Sequence, residues 1–386
     1  MSSLDELRCT CCDREYSLTS KIWKCSCGGV LDVLLDFSKR RISKEQIESR
    51  YPSLWRYREF IPVVDDDHIV SFSEGFTPLS KHSFGSLEAF LKTDYLFPTG
   101  SFKDRGSTVL VSKARELGIK RVVEDSSGNA GASIAAYCAK AGIDCHIYVP
   151  SSASVEKTTQ IQMYGARITK VAGSRKDAAN HALKAAGSEY YASHSWNPFF
   201  IEGTKTLAFE ISEQLGWRSP NALILPVGSG TLLLGAYKGF RELESLGFVD
   251  KVPRMLAVQS ENCPPIYEAF KKNFKDVKEV EAKPTIAEGI SVARPVRGNQ
   301  VLTAIRNTDG NIVAVSDFEV VESLSEMGKH GYFIEPTSAA TIAALHKFYE
   351  EGEIDREETI VVPLTGTGLK AVRGIACHAL RNDIGT

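Results

Sequence analysis

The sequence predicts an α/β fold with two open, mostly parallel sheets that carry helices on both faces, preceded by a small cysteine-rich ribbon. Short apolar runs alternate with stretches of helical periodicity along most of the chain, which is typical of parallel sheets. Several of these runs lead into a turn rich in glycine, serine or threonine. Five of the nine cysteines lie in the first 27 residues, and they indicate the ribbon.

The cysteine-rich segment, residues 1–35, contains a C-x2-C pair and a C-x-C pair separated by twelve residues. This spacing suits two short turns that hold a tetrahedral Zn²⁺ ion. The predicted ligands are Cys9, Cys12, Cys25 and Cys27. The ion would be structural, because nothing in the segment suggests an open coordination position. Cys11 is an additional thiol that leaves the choice of ligands open, and a ribbon without metal is the alternative.

Strands and helices are expected to alternate after the ribbon. A strand at 88–96 leads into a turn around Lys103 and then into a helix at 106–117, which ends at Gly118. Asn129 is expected to cap the helix that follows it. Apolar runs predict further strands at 145–149, 167–171, 222–225, 254–258 and 359–362. Helical periodicity predicts helices at 155–164, 176–186, 204–215, 232–244 and 336–349.

Four turns carry the residues that could bind a ligand or take part in catalysis: SFKDRG, SSGNAG, PVGSGT and PLTGTG. Turns at the carboxyl ends of parallel strands gather where ligands bind. In the first turn, Lys103 stands at the start of a helix, where the local dipole favours the neutral amine that Schiff-base chemistry requires. In the third turn, Gly228 and Gly230 allow backbone N–H groups to approach a phosphate. A solvated lysine and ordinary tight turns are the alternatives for any one of these turns taken singly.

Length and composition bound the functional class. The chain has 386 residues, of which 43% are hydrophobic, enough for two compact units and a small appendage. The formal net charge is −2 with interleaved signs, so no nucleic-acid partner is expected. No apolar run reaches the length of a membrane span, about 18 residues. The first residues do not resemble a signal peptide, so we expect a cytoplasmic protein.

In this order, the four turns resemble those of the pyridoxal-phosphate (PLP) enzymes of fold type II, the tryptophan-synthase-β type, and most closely those of the threonine synthase family. The resemblance extends over residues 74–370. It implies a large PLP-binding domain formed by 36–100 and 193–386, a small mobile domain at 101–192, and a homodimer. A ribbon like that of residues 1–35 precedes the catalytic domain in many threonine synthases.

The resemblance also implies roles for individual residues. Lys103 would form the Schiff base with PLP and then move protons at Cα and Cβ of the substrate. Asn129 would hydrogen-bond the phenolic oxygen of the cofactor, Thr365 would meet its pyridine nitrogen, and Phe102 would pack near its ring. The implied ligands of the cofactor phosphate are Gly228, Ser229, Gly230 and Thr231. The implied substrate-binding residues are Ser126, Ser127, Asn129, Ser195 and Asn197.

The implied reaction is that of threonine synthase, in which O-phosphohomoserine loses phosphate by γ-elimination and gains water at Cβ. Three features depart from the family pattern: Phe200 replaces an arginine that helps to hold the substrate phosphate, Ala130 replaces a threonine, and the loop at 285–290 looks more like that of serine/threonine dehydratases. Phe200 therefore leaves two alternatives open: a serine/threonine ammonia-lyase, and a β-replacement enzyme such as cysteate synthase. Asp104 and the ribbon speak against the ammonia-lyase, and the intact Lys103 speaks against a non-enzymatic metal-binding protein.

Overall fold

The computed structural model describes residues 5–38, 40, 42–153 and 155–379. The chain divides into two compact units. Unit 1 comprises Met1–Phe76 and Lys103–Thr206, and unit 2 comprises Thr77–Phe102 and Leu207–Thr386. The predicted domain boundaries, which follow the family resemblance, stay a prediction.

The regular elements of the described residues are numbered along the chain. The strands are β1 (Glu6–Cys9), β2 (Glu15–Ser17), β3 (Leu31–Leu34), β4 (Leu79–Phe84), β5 (Leu87–Lys92), β6 (Arg121–Glu124), β7 (Asp144–Pro150), β8 (Arg167–Val171), β9 (Tyr190–Tyr191), β10 (Ala222–Pro226), β11 (Arg254–Ser260), β12 (Ile312–Val315) and β13 (Ile360–Pro363). The α-helices are α1 (Lys44–Glu48), α2 (Lys103–Glu116), α3 (Asn129–Ala141), α4 (Val155–Met163), α5 (Arg175–Ala185), α6 (Pro198–Thr204), α7 (Thr206–Gln214), α8 (Thr231–Ser245), α9 (Pro265–Lys271), α10 (Gly298–Asn307), α11 (Asp317–Lys329), α12 (Pro336–Glu350) and α13 (Val372–Ala379).

Unit 1 contains two sheets. The cysteine-rich ribbon is a three-stranded antiparallel sheet of order β2-β1-β3. Its apolar side chains, such as Leu7 and Leu31, are fully buried in one core with residues of α2, α3 and α6. The second sheet has the order β8-β7-β6-β9, and its strand pairs are parallel. The ribbon is therefore part of the core of unit 1.

Unit 2 is built on a six-stranded sheet of order β12-β11-β10-β13-β5-β4. All pairs are parallel except β4 with β5, which form a hairpin whose turn contains Gly85 at φ +62°. All five residues of β10 are buried, which is why its sequence is a continuous apolar run rather than an alternating one. The predicted fold class, with two mostly parallel sheets and a preceding ribbon, is confirmed.

Two predicted boundaries are wrong in an informative way. The strand expected at 88–96 ends at Lys92, because the chain turns at Thr93 and Asp94–Leu96 forms a short 3-10 helix. The helix expected from residue 106 begins three residues earlier, so that Lys103 is its first residue. The elements that were not predicted from the sequence include α1, β4, α9, α10, β12, α11 and α13.

Lys92 closes a buried polar network in unit 2. Its Nζ lies 2.7 Å from the carboxylate of Glu210, and neither side chain is exposed. The same ammonium group donates to Gln214 Oε1 at 2.8 Å and to the carbonyl oxygen of Thr77 at 2.5 Å. Because every proton of this ammonium group has an acceptor, the buried charge is tolerated. Within the described residues, no helix is both long and apolar enough to cross a membrane.

Candidate active site

Lys103 opens α2 in unit 1 and lies beside the ring of Phe200. Its Nζ is 5.9 Å from the ring centre, and Phe200 itself is fully buried. The ring packs against Gly106, where a Cβ atom would lie 2.5 Å from three ring atoms. Glycine at position 106 therefore makes room for the aromatic ring one helical turn from the lysine. Phe200 is the residue that replaces the family arginine, so this position contributes an apolar wall and no charge.

Asp104, the acid next to the lysine, serves the packing of two helices. Its carboxylate accepts a hydrogen bond from Ser133 Oγ at 2.6 Å, and that hydroxyl lies 2.7 Å from Ser107 Oγ. All three side chains are fully buried. The network connects α2 to α3, so it fixes the start of the helix that carries Lys103 relative to the loop before α3.

The SSGNAG turn joins β6 to α3. Gly128 is the residue that caps α3, and Asn129 is the first residue of the helix, so the prediction that Asn129 is the cap is wrong. The backbone N–H of Gly128 donates to Ser126 Oγ at 3.3 Å, and Ser127 is buried. A Cβ atom at Gly131 would overlap the carbonyl oxygen of Ser126, so only glycine lets the turn close onto the helix. Ser126, Ser127 and Asn129 are thus held on one tight turn.

Ser195 and Asn197, the other predicted substrate residues, lie before α6. Asn197 is fully buried: its Oδ1 caps the helix by accepting from Phe199 N at 3.1 Å. Its Nδ2 donates to the hydroxyl of Tyr190 at 2.9 Å and to the carbonyl of Tyr191 at 3.1 Å. The amide of Asn197 is therefore used inside the protein. The backbone N–H of Ser195 donates to Ser193 Oγ at 3.3 Å. The substrate roles of both residues stay predictions.

A group of buried acids at the end of β6 was not predicted from the sequence. Glu124 has no exposed side-chain surface, and its Oε1 lies 2.7 Å from Nδ1 of His194. Burial raises the pKa of Glu124 to about 8, against the opposing effects of the backbone N–H groups of Asp125 and His194 and of the charge of Lys103. Burial also raises the pKa of Asp125 to about 6; its Oδ1 accepts from the Tyr191 hydroxyl at 2.5 Å. The sequence signal that could have predicted this group is the pair of consecutive acids, Glu124 and Asp125, directly after an apolar run.

Unit 2 contains the predicted phosphate cradle. The turn after β10 reaches α8 through Gly230, which has φ +81° and whose Cβ would overlap Val301. A Cβ at Gly228 would lie 2.8 Å from the carbonyl oxygen of Gly289. No side chain caps α8 at Gly230, and Ser229 Oγ lies 3.4 Å from Thr231 Oγ1. Backbone N–H groups at a helix start and two hydroxyls suit a phosphate, so this turn fits the phosphate of PLP.

Thr365 lies in a polar group of unit 2. Its Oγ1 is 3.0 Å from Ser338 Oγ and donates to Glu335 Oε1 at 3.3 Å. Both hydroxyl residues are fully buried. The backbone N–H of Phe102 donates to the carbonyl of Thr365 at 2.9 Å, and Phe102 is buried as well. A buried hydroxyl fits the pyridine nitrogen of PLP. The carboxylate of Glu335 behind it was not anticipated from the sequence.

The four predicted zinc ligands come together in the ribbon. The Sγ atoms of Cys9, Cys12, Cys25 and Cys27 all lie within 4.8 Å of one another. The Tyr16 hydroxyl, 3.1 Å from Cys25 Sγ, lowers the pKa of Cys25 to about 5 together with the backbone N–H of Cys27. A thiolate is the form that binds zinc. Four convergent thiols therefore fit a closed tetrahedral site.

The sequence and the fold are similar to those of known proteins. Residues 70–366 match the family described as pyridoxal-phosphate dependent enzyme. The threonine synthase of Methanocaldococcus jannaschii is 41% identical over 94% of this chain and 92% of its own length. The threonine synthase of Methanosarcina acetivorans is 38% identical with the same coverage. The structure of threonine deaminase isoform 2 from Solanum lycopersicum has a TM-score of 0.68 at 20% identity, covering 84% of this chain and 94% of that one.

The matched family and the fold define a pyridoxal-phosphate-dependent enzyme of fold type II. Within that class, the relatives at 34–41% identity are threonine synthases. The chain belongs to the threonine synthase family.

Proposed function

We propose that this enzyme converts O-phosphohomoserine and water into threonine and phosphate. The observation that carries the proposal is membership of the threonine synthase family over 94% of the chain, with the lysine, asparagine, glycine-rich and threonine positions of the site intact. Relatives named for deamination share the fold at 20% to 22% identity, so the ammonia-lyase alternative is not favoured. The β-replacement alternative has no observation in its favour.

The residues of the site supply binding and proton transfer. PLP, when bound, supplies an electron sink for the charge that develops next to the amino group of the substrate. Lys103 would hold the aldehyde of the cofactor and then serve as the base that moves protons at Cα and Cβ. The N–H groups and hydroxyls of the Gly228–Thr231 turn would hold the cofactor phosphate. Thr365 would hold the pyridine nitrogen, and Asn129 the phenolic oxygen.

The amino-acid substrate would be held by its carboxylate. Ser126, Ser127 and nearby backbone N–H groups on the tight turn before α3 offer hydrogen-bond donors at a helix start, which is a favourable position for an anion. Ser195 and Asn197 would complete the substrate side. Because Asn197 caps α6, its contribution would be to position the segment that carries Ser195 and Phe200.

We also propose that the four ribbon thiols hold a structural Zn²⁺ ion, and that the enzyme is a cytoplasmic homodimer without a nucleic-acid partner. The convergence of the Sγ atoms supports the zinc site. The balanced charge of −2 supports the absence of nucleic acid. The dimer follows from the family resemblance, and light scattering on the purified enzyme tests it directly: a mass of one chain would contradict it.

The test of the reaction uses the purified enzyme with PLP. We expect O-phosphohomoserine to give threonine and phosphate in equal amounts, while serine and threonine give no 2-oxo acid at a comparable rate. Lys103→Ala should abolish both the absorption band of the lysine-bound cofactor and the activity. Lys120→Ala, which removes an exposed lysine of unit 1, should leave both unchanged. Ammonia and a 2-oxo acid as the main products would overturn the proposal.

A further inference from the structure

One acid–histidine pair near the candidate lysine has no part in the roles described above. Glu124 ends β6 with no exposed side-chain surface, and its Oε1 lies 2.7 Å from Nδ1 of His194. Its second oxygen, Oε2, is buried and has no hydrogen-bond partner among the described residues. An acid buried in this way is costly to keep, which indicates a purpose beyond packing.

The charges around the pair determine where its proton lies. Lys103 on α2, Asp125 on the loop after β6 and Arg175 on α5 act electrostatically on His194, and the Tyr191 hydroxyl bonds Asp125. Burial, followed by the charge of Lys103, lowers the pKa of His194 to about 3. With the raised pKa of Glu124, one proton is shared and the pair has no net charge at neutral pH. The carboxyl O–H then donates to Nδ1, and the imidazole hydrogen is on Nε2.

The His194 side chain is partly accessible to solvent, whereas the Glu124 side chain is not. About one fifth of the His194 side chain is exposed, whereas Glu124 is fully enclosed. The ring meets Phe200 edge-on at 6.1 Å between ring centres. Phe200 in turn has Lys103 Nζ 5.9 Å from its centre. One aromatic wall therefore borders both the amine of the candidate lysine and the imidazole, and Nδ1 is already occupied by Glu124.

We propose that His194 is a further catalytic residue, whose Nε2–H binds the phosphate group of the substrate and protonates it as it leaves, and that Glu124 is its positioning residue. This inference rests on the proposed function. As the C–O bond breaks, its electron pair stays on the phosphate oxygen, and the Nε2 proton moves to the phosphate. The proton of Glu124 passes to Nδ1, so the imidazole stays neutral. After phosphate departs, Nε2 regains a proton from water and the Nδ1 proton returns to Glu124.

Two cations of α2 and of the segment after α6, Arg105 and Lys205, are engaged with other residues. Lys205, which follows the same segment, forms an ion pair with Glu202 at 2.6 Å, and neither side chain is exposed. Arg105 is fully buried and donates to Thr206 at 3.1 Å. Phe200 has no charge to offer a phosphate. An imidazole with a carboxyl behind it is the group in this part of unit 1 whose chemistry suits an anionic leaving group at neutral pH.

The test compares His194→Gln with His181→Gln, which replaces an exposed histidine of α5. For the holoenzyme, we expect His194→Gln to lower kcat/KM for O-phosphohomoserine about 100-fold. The cofactor absorption band and the exchange of the α-hydrogen of L-threonine in D₂O should stay unchanged, because neither involves a substrate phosphate. His181→Gln should match the wild type in every assay. An equal loss in α-hydrogen exchange would mean a structural role and would overturn the inference.

Glu124→Gln keeps the shape of the side chain and removes its exchangeable acid. In the wild type, kcat/KM should fall above about pH 8 as Glu124 loses its proton. The glutamine variant should lack that alkaline limb and be about 10-fold slower at neutral pH. The same alkaline limb in both enzymes would contradict the assignment of Glu124.

A binding measurement separates this inference from the proposed reaction. Inorganic phosphate, titrated into the PLP-loaded enzyme by calorimetry, should bind at least about 10-fold more weakly to His194→Gln than to the wild type. If the wild type makes no threonine, but phosphate binds more weakly to His194→Gln than to the wild type, the proposed reaction is wrong and the anion site remains. If the wild type makes threonine and the variant is equally active, the histidine assignment is wrong.

Discussion

Gly203 is the position where the packing of α6 on α2 is most sensitive to a single methyl group. A Cβ atom at residue 203 would lie 2.7 Å from both the carbonyl carbon of Arg105 and the Cα of Gly106, and closer still to the carbonyl oxygen of Arg105. Ordinary van der Waals contact begins at 3.4 Å, so the two carbon contacts alone require the backbones to separate by about 0.7 Å, and the oxygen contact requires more. The atoms that the added Cβ would meet belong to the backbone of Arg105 and Gly106, so no side-chain rotation can relieve the clash.

The expected magnitude follows from two opposing effects. Overpacking of this kind costs about 3 kcal/mol, at the upper end of its usual range, because backbone must move. Replacing glycine by alanine in a helix returns at most about 1 kcal/mol. We therefore expect Gly203→Ala to lower the free energy of unfolding of unit 1 by about 2 kcal/mol. For a unit of this size, that corresponds to a melting temperature about 4–8 °C lower.

The assay is urea and thermal unfolding followed by circular dichroism, which reads both units, and by tryptophan fluorescence. Trp23, Trp55 and Trp196 lie in unit 1, so the fluorescence signal reports mainly on the unit that is perturbed. The matched control is Gly328→Ala in α11, where nothing lies within 4 Å of the added Cβ. The control should be neutral or stabilising by up to about 1 kcal/mol. Equal midpoints for Gly203→Ala and the wild type would refute the close-approach argument.

Three further predictions concern buried charge and metal. Lys92→Met should lower the free energy of unfolding by about 3–5 kcal/mol, because it leaves Glu210 as a buried charge without its ammonium partner. Lys92→Met combined with Glu210→Gln should recover part of that loss in the same urea titration, and no recovery would contradict the pairing. Cys25→Ser should lower both the zinc content by metal analysis and the melting temperature, whereas Cys11→Ser, outside the four-thiol cluster, should change neither; equal zinc in both variants would rule out the ligand set. Glu124 should make stability depend on pH: its folded pKa of about 8 exceeds the unfolded value of 4.5, so its contribution to stability is full below pH 4.5 and declines as pH rises towards 8. His194, whose folded pKa of about 3 lies below the unfolded value of 6.5, opposes that decline up to pH 6.5. Glu124→Gln should therefore flatten the decline in melts at pH 6.5 to 8, and an unchanged slope would show that another group is responsible.

Patterns that depend on a short stretch of chain could be read from the sequence. Continuous apolar runs predicted β10 and β13, because a strand covered on both faces admits few polar residues. Cysteine spacing predicted four thiols that the structure brings together. Glycine-rich turns predicted the positions at which a strand ends and a helix begins, including the turn before α8.

Features set by distant contacts could not be read in the same way. The strand β5 ends early because Thr93 bonds the carbonyl of Pro78 and the following turn bonds Leu364. Gly128 takes the capping position expected for Asn129, since the turn closes onto Gly131. The burial of Glu124 depends on what surrounds β6, and two acids after an apolar run look like an ordinary solvated turn until the fold is known.

The ion pairs of Lys92 and Lys205 have a consequence for chemoselectivity. An aldehyde reacts with an amine only after the amine has lost its proton. Both lysines form ion pairs with enclosed carboxylates, at 2.7 Å and 2.6 Å, so their nitrogen atoms are already engaged. The Glu124–His194 pair that acts on Lys103 is neutral instead. The carboxylates of Glu210 and Glu202 thus keep the nitrogen atoms of Lys92 and Lys205 from reacting with an aldehyde, which leaves Lys103 as the amine that reacts.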